Sequence, residues 1–440
     1  MLGLLVVVSV ANNNSASLAQ PSIAADLGGG PGDVGWVVFG YSAAFAVATA
    51  LWGGLSRRLG LGPSLAAGVV LLSLGGLLAV MAPSLPALVG ARMVQGLGSG
   101  ALPTLSVALL ARRFSGPERA AAFGVTVAGV AVGLAIGPII GGLALELGGW
   151  RAAVGFGMLA LPAAPFLYPL ERTGDPTRRI DAVGALLTAL AVLGGIFLVN
   201  RLPILGVVPL TAAMAGALAL VVLLLARHVR GHPDGFLPRR VLRSAAWRRS
   251  SLLGAVGMSA FLGSFVLIPV VASSLYGLTG IGLAAILLPV ALVTAVASLR
   301  NARFTARLGR RRTTALSLIM LSLGPALIAL VGSGAPGPVL AACVLPLGVG
   351  FGLLSPPLLA DVTAEFPEAD QPIAVGTFNV VFFFGGAVGA AISTAIVQQG
   401  YALDIFAAWP LPAYTTAELL LCIAPLVAAI AAMRRSGGPG

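Results

Sequence analysis

Two groups of polar residues stand out in a chain that is otherwise strongly apolar. The first group is a run near the N-terminus, made of Asn12, Asn13, Asn14, Ser15, Ser17 and Gln20. The second group is Arg92 with Gln95, one helical turn apart, inside the apolar run LVGARMVQGLGSGA. Amides supply neutral hydrogen bonds, and a guanidinium supplies a positive charge with five N–H donors. These residue types suit the binding of a polar or anionic small molecule.

The N-terminal polar run falls on two neighbouring faces of a helix. These faces hold Asn12, Ser15 and Ala19, and then Asn13, Ser17 and Gln20. An amide without a hydrogen-bond partner costs free energy in lipid, so the run is expected to face the protein interior or a water-filled cavity. Hydrogen bonds between helices are an alternative role. Six polar residues within nine exceed what such bonds require, which favours a cavity that binds substrate through Asn12, Asn13, Ser17 and Gln20.

Arg92 is the one arginine that the sequence places deep within an apolar segment. A guanidinium there must find a carbonyl, a carboxylate or water. It either organises a cavity and responds to the driving ion, or it is a structural arginine bound by backbone carbonyls. We predict the first role, with Gln95, Tyr41 and Asn379 adding hydrogen bonds to substrate.

Enzymatic chemistry finds little support in the sequence. The chain has two histidines and two cysteines, and shows no Ser/His/Asp set, no metal-spaced cluster and no phosphate loop of the G-x-x-x-x-G-K type. His228 and His232 lie in a predicted loop, which leaves no histidine relay inside a bundle. We therefore predict a protein that is not an enzyme and that uses no cofactor and no metal.

The composition indicates the elements that position these residues. Hydrophobic residues make up 58% of the 440 residues and charged residues 9%, and the mean hydropathy is +1.01. A soluble domain carries about 25% charged residues, so we predict an all-α polytopic membrane protein. Runs of about 20 apolar residues mark fourteen spanning helices. They cover residues 2–23, 34–55, 63–82, 86–111, 119–145, 150–170, 180–199, 204–226, 250–275, 280–300, 313–333, 337–360, 372–398 and 413–433.

The arginines predict how these helices are oriented. With the N-terminus inside, 23 of the 26 arginines fall in cytoplasmic segments, and only Arg151 and Arg201 fall outside. This asymmetry follows the positive-inside rule and places both termini in the cytoplasm of a cell (inner or plasma) membrane. The net charge of +12 therefore reflects topology, and nucleic acid is not an expected partner. The basic loop 227–249 is either a surface-lying amphipathic segment or a solvated linker.

A column of small residues marks the fifth predicted helix. Four glycines recur at every fourth position, so that a neighbouring backbone can approach closely along one stripe. Pro138 lacks an N–H and predicts a kink. Ordinary close packing within a membrane bundle would explain the stripe, but we predict a hinge at a seam between two rocking bundles. Its residues are Gly129, Gly133, Gly137, Pro138 and Gly141.

Several segments match motifs of one transporter family. GLAIGPIIGG (133–142) resembles an antiporter motif of helix 5, and LVGARMVQGLGSGA (88–101) a helix 4 motif whose arginine is Arg92. GGLSRRLGLG (53–62) resembles a loop motif that ARFTARLGRRR (302–312) repeats. WVVFGYSAAFA (36–46) is similar to helix 2 of the same family. The chain thus resembles the major facilitator superfamily, in particular its fourteen-helix drug/proton antiporter branch, which includes tetracycline-type efflux proteins.

The resemblance implies a fold, a division into domains and a function. The implied fold is two six-helix bundles, residues 1–172 and 250–440, joined by a two-helix insertion and basic loop, residues 173–249. The implied function is export of amphipathic small molecules by proton antiport, with a monomer in the lipid bilayer. Two alternatives keep the fold: a lipid or glycolipid exporter, and a sensor or assembly subunit that does not transport. Acids that the family often carries are replaced here by Asn12, Arg57 and Leu134.

Overall fold

The structure is a computed structural model of the chain, and every element that it describes is helical. The description covers residues 1–29, 31–175, 181–205, 208–233, 235–277, 281–331, 337–368, 370–398, 400 and 412–434.

Among residues 1–29 and 31–175, the N-terminal half contains eight helices and one 3-10 segment. The apolar runs of the sequence form the long helices, and each break falls at glycine, proline or a polar turn. The α-helices are α1 (Leu2–Leu27), α2 (Pro31–Val34), α3 (Trp36–Leu59), α4 (Leu61–Val80), α5 (Leu85–Ser99), α6 (Ala101–Arg113), α7 (Gly116–Gly155) and α8 (Ala164–Leu167). The 3-10 segment Phe156–Ala163 precedes α8.

The insertion and the C-terminal half follow the same pattern. Over residues 181–205, 208–233 and 235–249, the insertion consists of two long helices and one short one. These are α9 (Ala182–Leu205), α10 (Pro209–Gly231) and α11 (Arg239–Arg243). The C-terminal half is built from α12 (Ala245–Tyr276), α13 (Ile281–Leu299), α14 (Asn301–Leu308), α15 (Arg310–Val331), α16 (Gly337–Cys343), α17 (Leu345–Glu365), α18 (Gln371–Gln398) and α19 (Pro412–Arg434).

The helices confirm a polytopic membrane protein but not the predicted count of fourteen spans. Within the described residues, 12 helices are long and apolar enough to cross a membrane, or up to 13 if one bent pair counts as a single span. That pair joins α13 to α14 at an angle of 54°. The helical backbone of α7 breaks at Gly148 and Gly149, which divides it into two runs. Pro138 lies inside the first of these runs.

Each half has an apolar core of its own. In the N-terminal half, one cluster includes Leu65, Leu72 and Leu105, and a second joins Ile23 to Trp150. The Asp26 carboxylate accepts hydrogen bonds from the Trp150 indole (2.8 Å) and the Arg151 guanidinium (2.7 Å), which ties the end of α1 to the second run of α7. The largest cluster fills the C-terminal half and also takes in residues of α6 and α7. The domain boundaries at 172 and 249 stay a prediction.

The two halves meet closely at one end of the bundle, which we call the arginine-rich end. There α3 and α6 finish in Arg57, Arg58, Arg112 and Arg113. A Cβ on Gly53 of α3 would lie 2.5 Å from the carbonyl oxygen of Pro372. On the opposite side of the same end, a Cβ on Gly124 of α7 would overlap the carbonyl oxygen of Ser298 on α13. These contacts close the arginine-rich end.

Hydrogen bonds reinforce this closure. The Ser298 hydroxyl donates to the Gly124 carbonyl at 2.9 Å. The Arg112 guanidinium lies 3.6 Å from the Glu171 carboxylate and also donates to the backbone carbonyl of Glu368, in the other half, at 3.4 Å. Arg112 thus connects the two halves. Position 57, where the family often has an acid, carries an arginine in this chain.

The inserted helix α9 lies over the seam between α3 and α18 and packs against both. Phe197 of α9 stacks on Trp36 of α3 at 5.7 Å, and Phe384 of α18 fills the space beside Gly195. In contrast, α10 packs on α9 and leaves most of its own surface open. Of the two long helices of the insertion, α9 is therefore the one that contacts both halves of the molecule.

Asp181, just before α9, connects the loop after α10 to the insertion. Its carboxylate accepts hydrogen bonds from the backbone N–H of Gly184 (2.8 Å) and of Phe236 (2.9 Å), and contacts His228 Nε2 at 2.8 Å. His228 stacks on His232 at 4.2 Å. Burial opposes the charge of this carboxyl, but the two backbone donors and His228 outweigh it and lower the pKa of Asp181 below its usual value.

We expect Asp181→Asn to destabilise the protein by roughly 1–3 kcal/mol at neutral pH, the usual cost of weakening the hydrogen bonds of a partly buried charged group. A carboxyl whose pKa is lowered by folding stabilises the folded state above its unfolded pKa of about 3.9, and this contribution is lost as the pH falls through the folded value. Thermal unfolding of wild type and variant should therefore differ most at pH 7 and converge at low pH. A constant difference across that range would contradict a charged Asp181.

Candidate functional site

Arg92 is fully buried and is held by neutral groups from three helices. Its Nε donates to the Val37 carbonyl at 3.2 Å, one terminal nitrogen to Gln95 Oε1 at 2.7 Å, and the other to Asn13 Oδ1 at 3.1 Å. The guanidinium also lies over the Tyr41 ring, 4.4 Å from its centroid. All of these partners are uncharged, so within the described residues the positive charge of Arg92 stays uncompensated inside the bundle.

The partners of Arg92 are held in turn by further hydrogen bonds. Gln95 Nε2 donates to the Val154 carbonyl at 2.9 Å. Asn13 Nδ2 donates to the Ser42 hydroxyl at 3.1 Å. We call Arg92, Gln95, Asn13 and Tyr41 the arginine cluster. Because each amide uses its other end to bind the protein, the cluster is rigid and links α1, α3, α5 and the second run of α7.

The Tyr41 hydroxyl extends the network toward two serines. It donates to the Ser9 carbonyl at 2.8 Å and lies 2.5 Å from the Ser99 hydroxyl, which is itself hydrogen-bonded to the Ser9 hydroxyl. Ser9 and Ser99 were not among the residues predicted from the sequence. Their spacing gives a usable signal, since Ser9 lies one turn before Asn13, and Ser99 two turns after Arg92.

The two faces predicted for the polar run of α1 have different surroundings. Asn12 and Ser15 are fully buried. Asn12 Oδ1 accepts from the Gly157 N–H at 3.2 Å, and the Ser15 hydroxyl donates to the Ala153 carbonyl at 2.6 Å. Asn12 Nδ2 is buried with no hydrogen-bond partner among the described residues. This face makes the bonds between helices that were the alternative explanation of the run.

The other face of α1 is more open. Asn13 and Gln20 are half-buried and Ser17 is exposed. Asn13 connects this open face to Arg92. A molecule lying against Ser17 and Gln20 would therefore meet the arginine cluster through the Asn13 side chain. The substrate-binding roles of Asn12, Asn13, Ser17 and Gln20 stay predictions.

Asn379 lies apart from the arginine cluster. Its Nδ2 donates to the Thr104 hydroxyl of α6 at 3.0 Å, which makes a hydrogen bond between the two halves. Thr104 follows Arg92 by 12 residues of helix, or roughly 18 Å. Asn379 borders a small cavity of ≈ 40 Å³ with Phe351 and Phe382. The structure thus places it at the contact between the halves, and its role in substrate binding stays a prediction.

A larger cavity of ≈ 290 Å³ lies at the arginine-rich end, between α3, α9 and the loop that contains Phe236. Apolar side chains such as Trp52 and Leu55 form most of its wall, and Arg57 and Arg58 border it. No residue of the arginine cluster lines it. This cavity was not predicted from the sequence, because its wall combines residues of α3, α4, α5, α9, α18 and the loop at Phe236, which are far apart in the chain.

The glycine column of α7 packs against α1, a helix of its own half, so a different face of α7 lies at the seam between the two halves. The hinge role of the column stays a prediction. The neighbours within reach of a Cβ on Gly129, Gly133, Gly137 and Gly141 all belong to α1. At Gly137 they are Asn14 Cβ at 2.8 Å and the Ala11 carbonyl oxygen at 3.0 Å. α7 contacts α13 and α17 of the other half along that other face, which includes Gly124, Val127 and Val130. The description covers the backbone of Pro138 but not its side chain.

Comparison with known sequences gives a consistent picture. Residues 2–390 match the profile of the Major Facilitator Superfamily. The chain is 28% identical over 464 residues to "Cephamycin export protein CmcT" of Amycolatopsis lactamdurans, covering 96% of this chain and 90% of that one. It is 28% identical over 407 residues to "Methylenomycin A resistance protein" of Streptomyces coelicolor (86% and 84% covered). It is also 27% identical over 394 residues to "Drug efflux pump JefA" of Mycobacterium tuberculosis (87% and 77%).

Solved structures with low sequence identity share the fold. The human organic anion transporter MFSD10 (TETRAN) superposes with a TM-score of 0.67 at 17% identity, over 97% of both chains. The proton:xylose symporter XylE superposes with a TM-score of 0.68 at 15% identity, over 98% of this chain and 93% of that one.

Proposed function

The chain belongs to the major facilitator superfamily, and from this premise we propose that it is a secondary active exporter of amphipathic small molecules, antibiotics among them. The relatives that support export are named for cephamycin export, methylenomycin A resistance and drug efflux, and they match most of this chain. The proposed mechanism is alternating access, in which two halves rock about a site between them, with protons moving in the opposite direction.

The observation that carries the proposal is the uncompensated charge of Arg92. The guanidinium is buried in a membrane-spanning helix, and its hydrogen-bond partners are two amides and a backbone carbonyl. A charge inside a membrane-spanning helix costs free energy, so such a residue is interpreted by default as part of a functional site. Its positive potential favours a substrate that carries a carboxylate or several carbonyl groups. The open face of α1, with Asn13, Ser17 and Gln20, is the surface that such a substrate would contact.

The closed arginine-rich end fits one state of the proposed cycle. If that end is cytoplasmic, as the arginine distribution predicts, the contacts of Gly53 and Gly124 seal the cytoplasmic side. Substrate would then leave toward the outside, and opening of these contacts would admit the next molecule from the cytoplasm or the inner leaflet.

The experiment is a susceptibility panel in a host that lacks its own efflux pumps. Expression of the chain should raise the inhibitory concentration of anionic or carbonyl-rich antibiotics, and a protonophore should remove that protection. Cells carrying the empty vector are the control. Unchanged susceptibility to every compound would contradict drug export. Protection that survives the protonophore would contradict proton coupling alone.

The cavity at the arginine-rich end favours a second candidate, a lipid or glycolipid exporter. Its wall is mainly apolar and would hold acyl chains, and Arg57 and Arg58 at its border would pair with the anionic headgroup of the same lipid. A fluorescent anionic lipid that changes leaflets in proteoliposomes, with no antibiotic protection in cells, would favour this candidate. Absence of flux for drug and lipid alike would favour a sensor or assembly subunit.

A further inference from the structure

The C-terminal half contains a buried carboxyl group that none of the roles above employs. Glu418 of α19 is 1% exposed. Its Oε2 accepts a hydrogen bond from the Ser264 hydroxyl of α12 at 2.5 Å, and its Oε1 is buried without a hydrogen-bond partner among the described residues. Glu418 is the seventh residue of α19, so it lies roughly 9 Å inside the helix from its first residue.

The described helices around Glu418 bring no positive charge to it. α19 packs on α12, α15 and α18, and the described part of α18 has no titratable side chain. The titratable side chains of the other helices are Arg248, Arg249 and Tyr276 of α12, Arg310, Arg311 and Arg312 of α15, and Tyr414, Cys422 and Arg434 of α19.

The arginines among these groups lie at the far end of the helices. Arg311 donates to the backbone carbonyls of Ala432 and Met433, at the last turn of α19. Ala432 is 14 residues from Glu418, or roughly 21 Å along the helix. Cys422, one helical turn after Glu418, donates a hydrogen bond from its S–H to the Leu419 carbonyl. An ionised carboxylate without a counter-charge costs several kcal/mol or more in such an interior, so a bound proton is what neutralises Glu418 here.

Other described carboxyl groups in the spanning helices are either paired with an arginine or exposed. Asp26 pairs with Arg151 at 2.7 Å and Asp361 with Arg310 at 2.7 Å. Glu146 and Glu365 are exposed. Within the part of the chain that the structure describes, Glu418 therefore differs from every other carboxyl in a spanning helix by being both fully buried and unpaired.

A second unpartnered polar atom lies beside the carboxyl group. The Thr415 hydroxyl, three residues earlier and thus on the same face of α19, is also buried without a hydrogen-bond partner among the residues described. Buried polar atoms without partners are the groups that a bound water or hydronium ion would satisfy, so Thr415 and Glu418 are candidates to hold one. The Ser264 hydroxyl completes this group from the opposite helix.

We propose that Glu418 binds the proton that is exchanged for substrate, with Ser264 as its positioning residue. The step is proton transfer from a hydronium ion to the carboxylate, which forms an O–H bond and leaves water; release to the other side reverses it. This proposal rests on proton antiport as proposed above. α12 links Glu418 to the contacts that close the arginine-rich end. It packs along α18 at Gly385 and Gly389, and α18 in turn contacts α3 at Gly376.

The test uses the full chain in proteoliposomes with a pH-sensitive dye inside and Glu418→Gln as the variant. A glutamine has the same shape but takes up no proton. We expect accumulation driven by a pH gradient to fall by about 5- to 150-fold, the usual range of coupling between two ligands. Substrate exchange without a gradient should continue, because it moves no net proton. Glu146→Gln, which changes an exposed glutamate, is the matched control.

Different outcomes separate this proposal from proton antiport itself. Substrate-dependent proton movement that is equal in Glu418→Gln and wild type would overturn the role of Glu418 alone. Wild-type vesicles that move substrate with a sodium gradient and never move protons would overturn proton antiport as well. If Glu418→Gln does not fold, Ser264→Ala decides. A displaced pH profile of transport supports the site, and an unchanged profile overturns it.

Discussion

Arg92→Ala is expected to abolish export while leaving a folded protein in the membrane. The substitution removes the charge and leaves Gln95 Oε1, Asn13 Oδ1 and the Val37 carbonyl without their donor. Each hydrogen bond to a charged group contributes about 1.5–3 kcal/mol, so losing a single one in the transport transition state slows transport at least about tenfold. The measurement is gradient-driven uptake of substrate into inverted vesicles.

Two further variants separate charge from geometry in this experiment. Arg92→Lys keeps the charge, but one ammonium cannot reach all three acceptors as the planar guanidinium does. We expect it to recover part of the transport. Arg230→Ala removes an exposed arginine at the end of α10 and should transport like wild type. Normal uptake by Arg92→Ala would contradict the coupling role. An Arg92→Ala protein that fails to fold, together with an Arg92→Lys that transports fully, would show a structural arginine.

Gly124→Leu is expected to hold the arginine-rich end open. Even a Cβ at this position would overlap the Ser298 carbonyl oxygen of the other half, and a leucine has three more carbons to place. The halves would have to separate near α7 and α13, and the hydrogen bond between Ser298 and Gly124 would be lost. Transport should therefore stop, and spin labels at the arginine-rich ends of the two halves should report longer distances.

A matched control lies on the same helix. A Cβ on Gly142 of α7 would meet no neighbouring atom within 4 Å among the described residues, so Gly142→Leu changes the same residue type without a clash at its first carbon. We expect it to transport normally and to keep the wild-type distances. If Gly124→Leu shows wild-type distances and full transport, closure at this end is not part of the cycle.

The sequence predicted which polar residues lie inside the bundle better than it predicted what surrounds them. The helical period separated Asn12 and Ser15 from Asn13 and Ser17, and the structure gives these two faces different environments. The cost of a guanidinium in lipid predicted an internal Arg92, and the motif around it predicted the family, which the comparisons confirm. The helical spacing of polar residues and the free-energy cost of a charge in lipid both depend on local sequence, so they can be predicted without knowing the fold.

What the sequence did not predict depends on which segments become neighbours. The spacing of Gly133 and Gly137 indicates a smooth face, but it does not tell which helix covers that face, and here it is α1. The interior position of Glu418 depends in the same way on α12 and its Ser264. The predicted count of fourteen spans is not confirmed, since the described residues give 12 candidate spans, or up to 13 with the bent pair of α13 and α14. The turn at Gly148 and Gly149 falls between the fifth and sixth predicted helices, whereas the bend after α13 is a property of the folded molecule that the sequence does not display.

The position of α9 makes the two flanks of the molecule unequal. On one flank α9 covers the junction of α3 and α18, and Phe236 fills the space beneath it at the arginine-rich end. On the other flank α7 and α13 touch each other directly. Among the described residues, one seam between the halves is therefore covered by an additional helix, whereas the other is closed by the direct packing of α7 on α13.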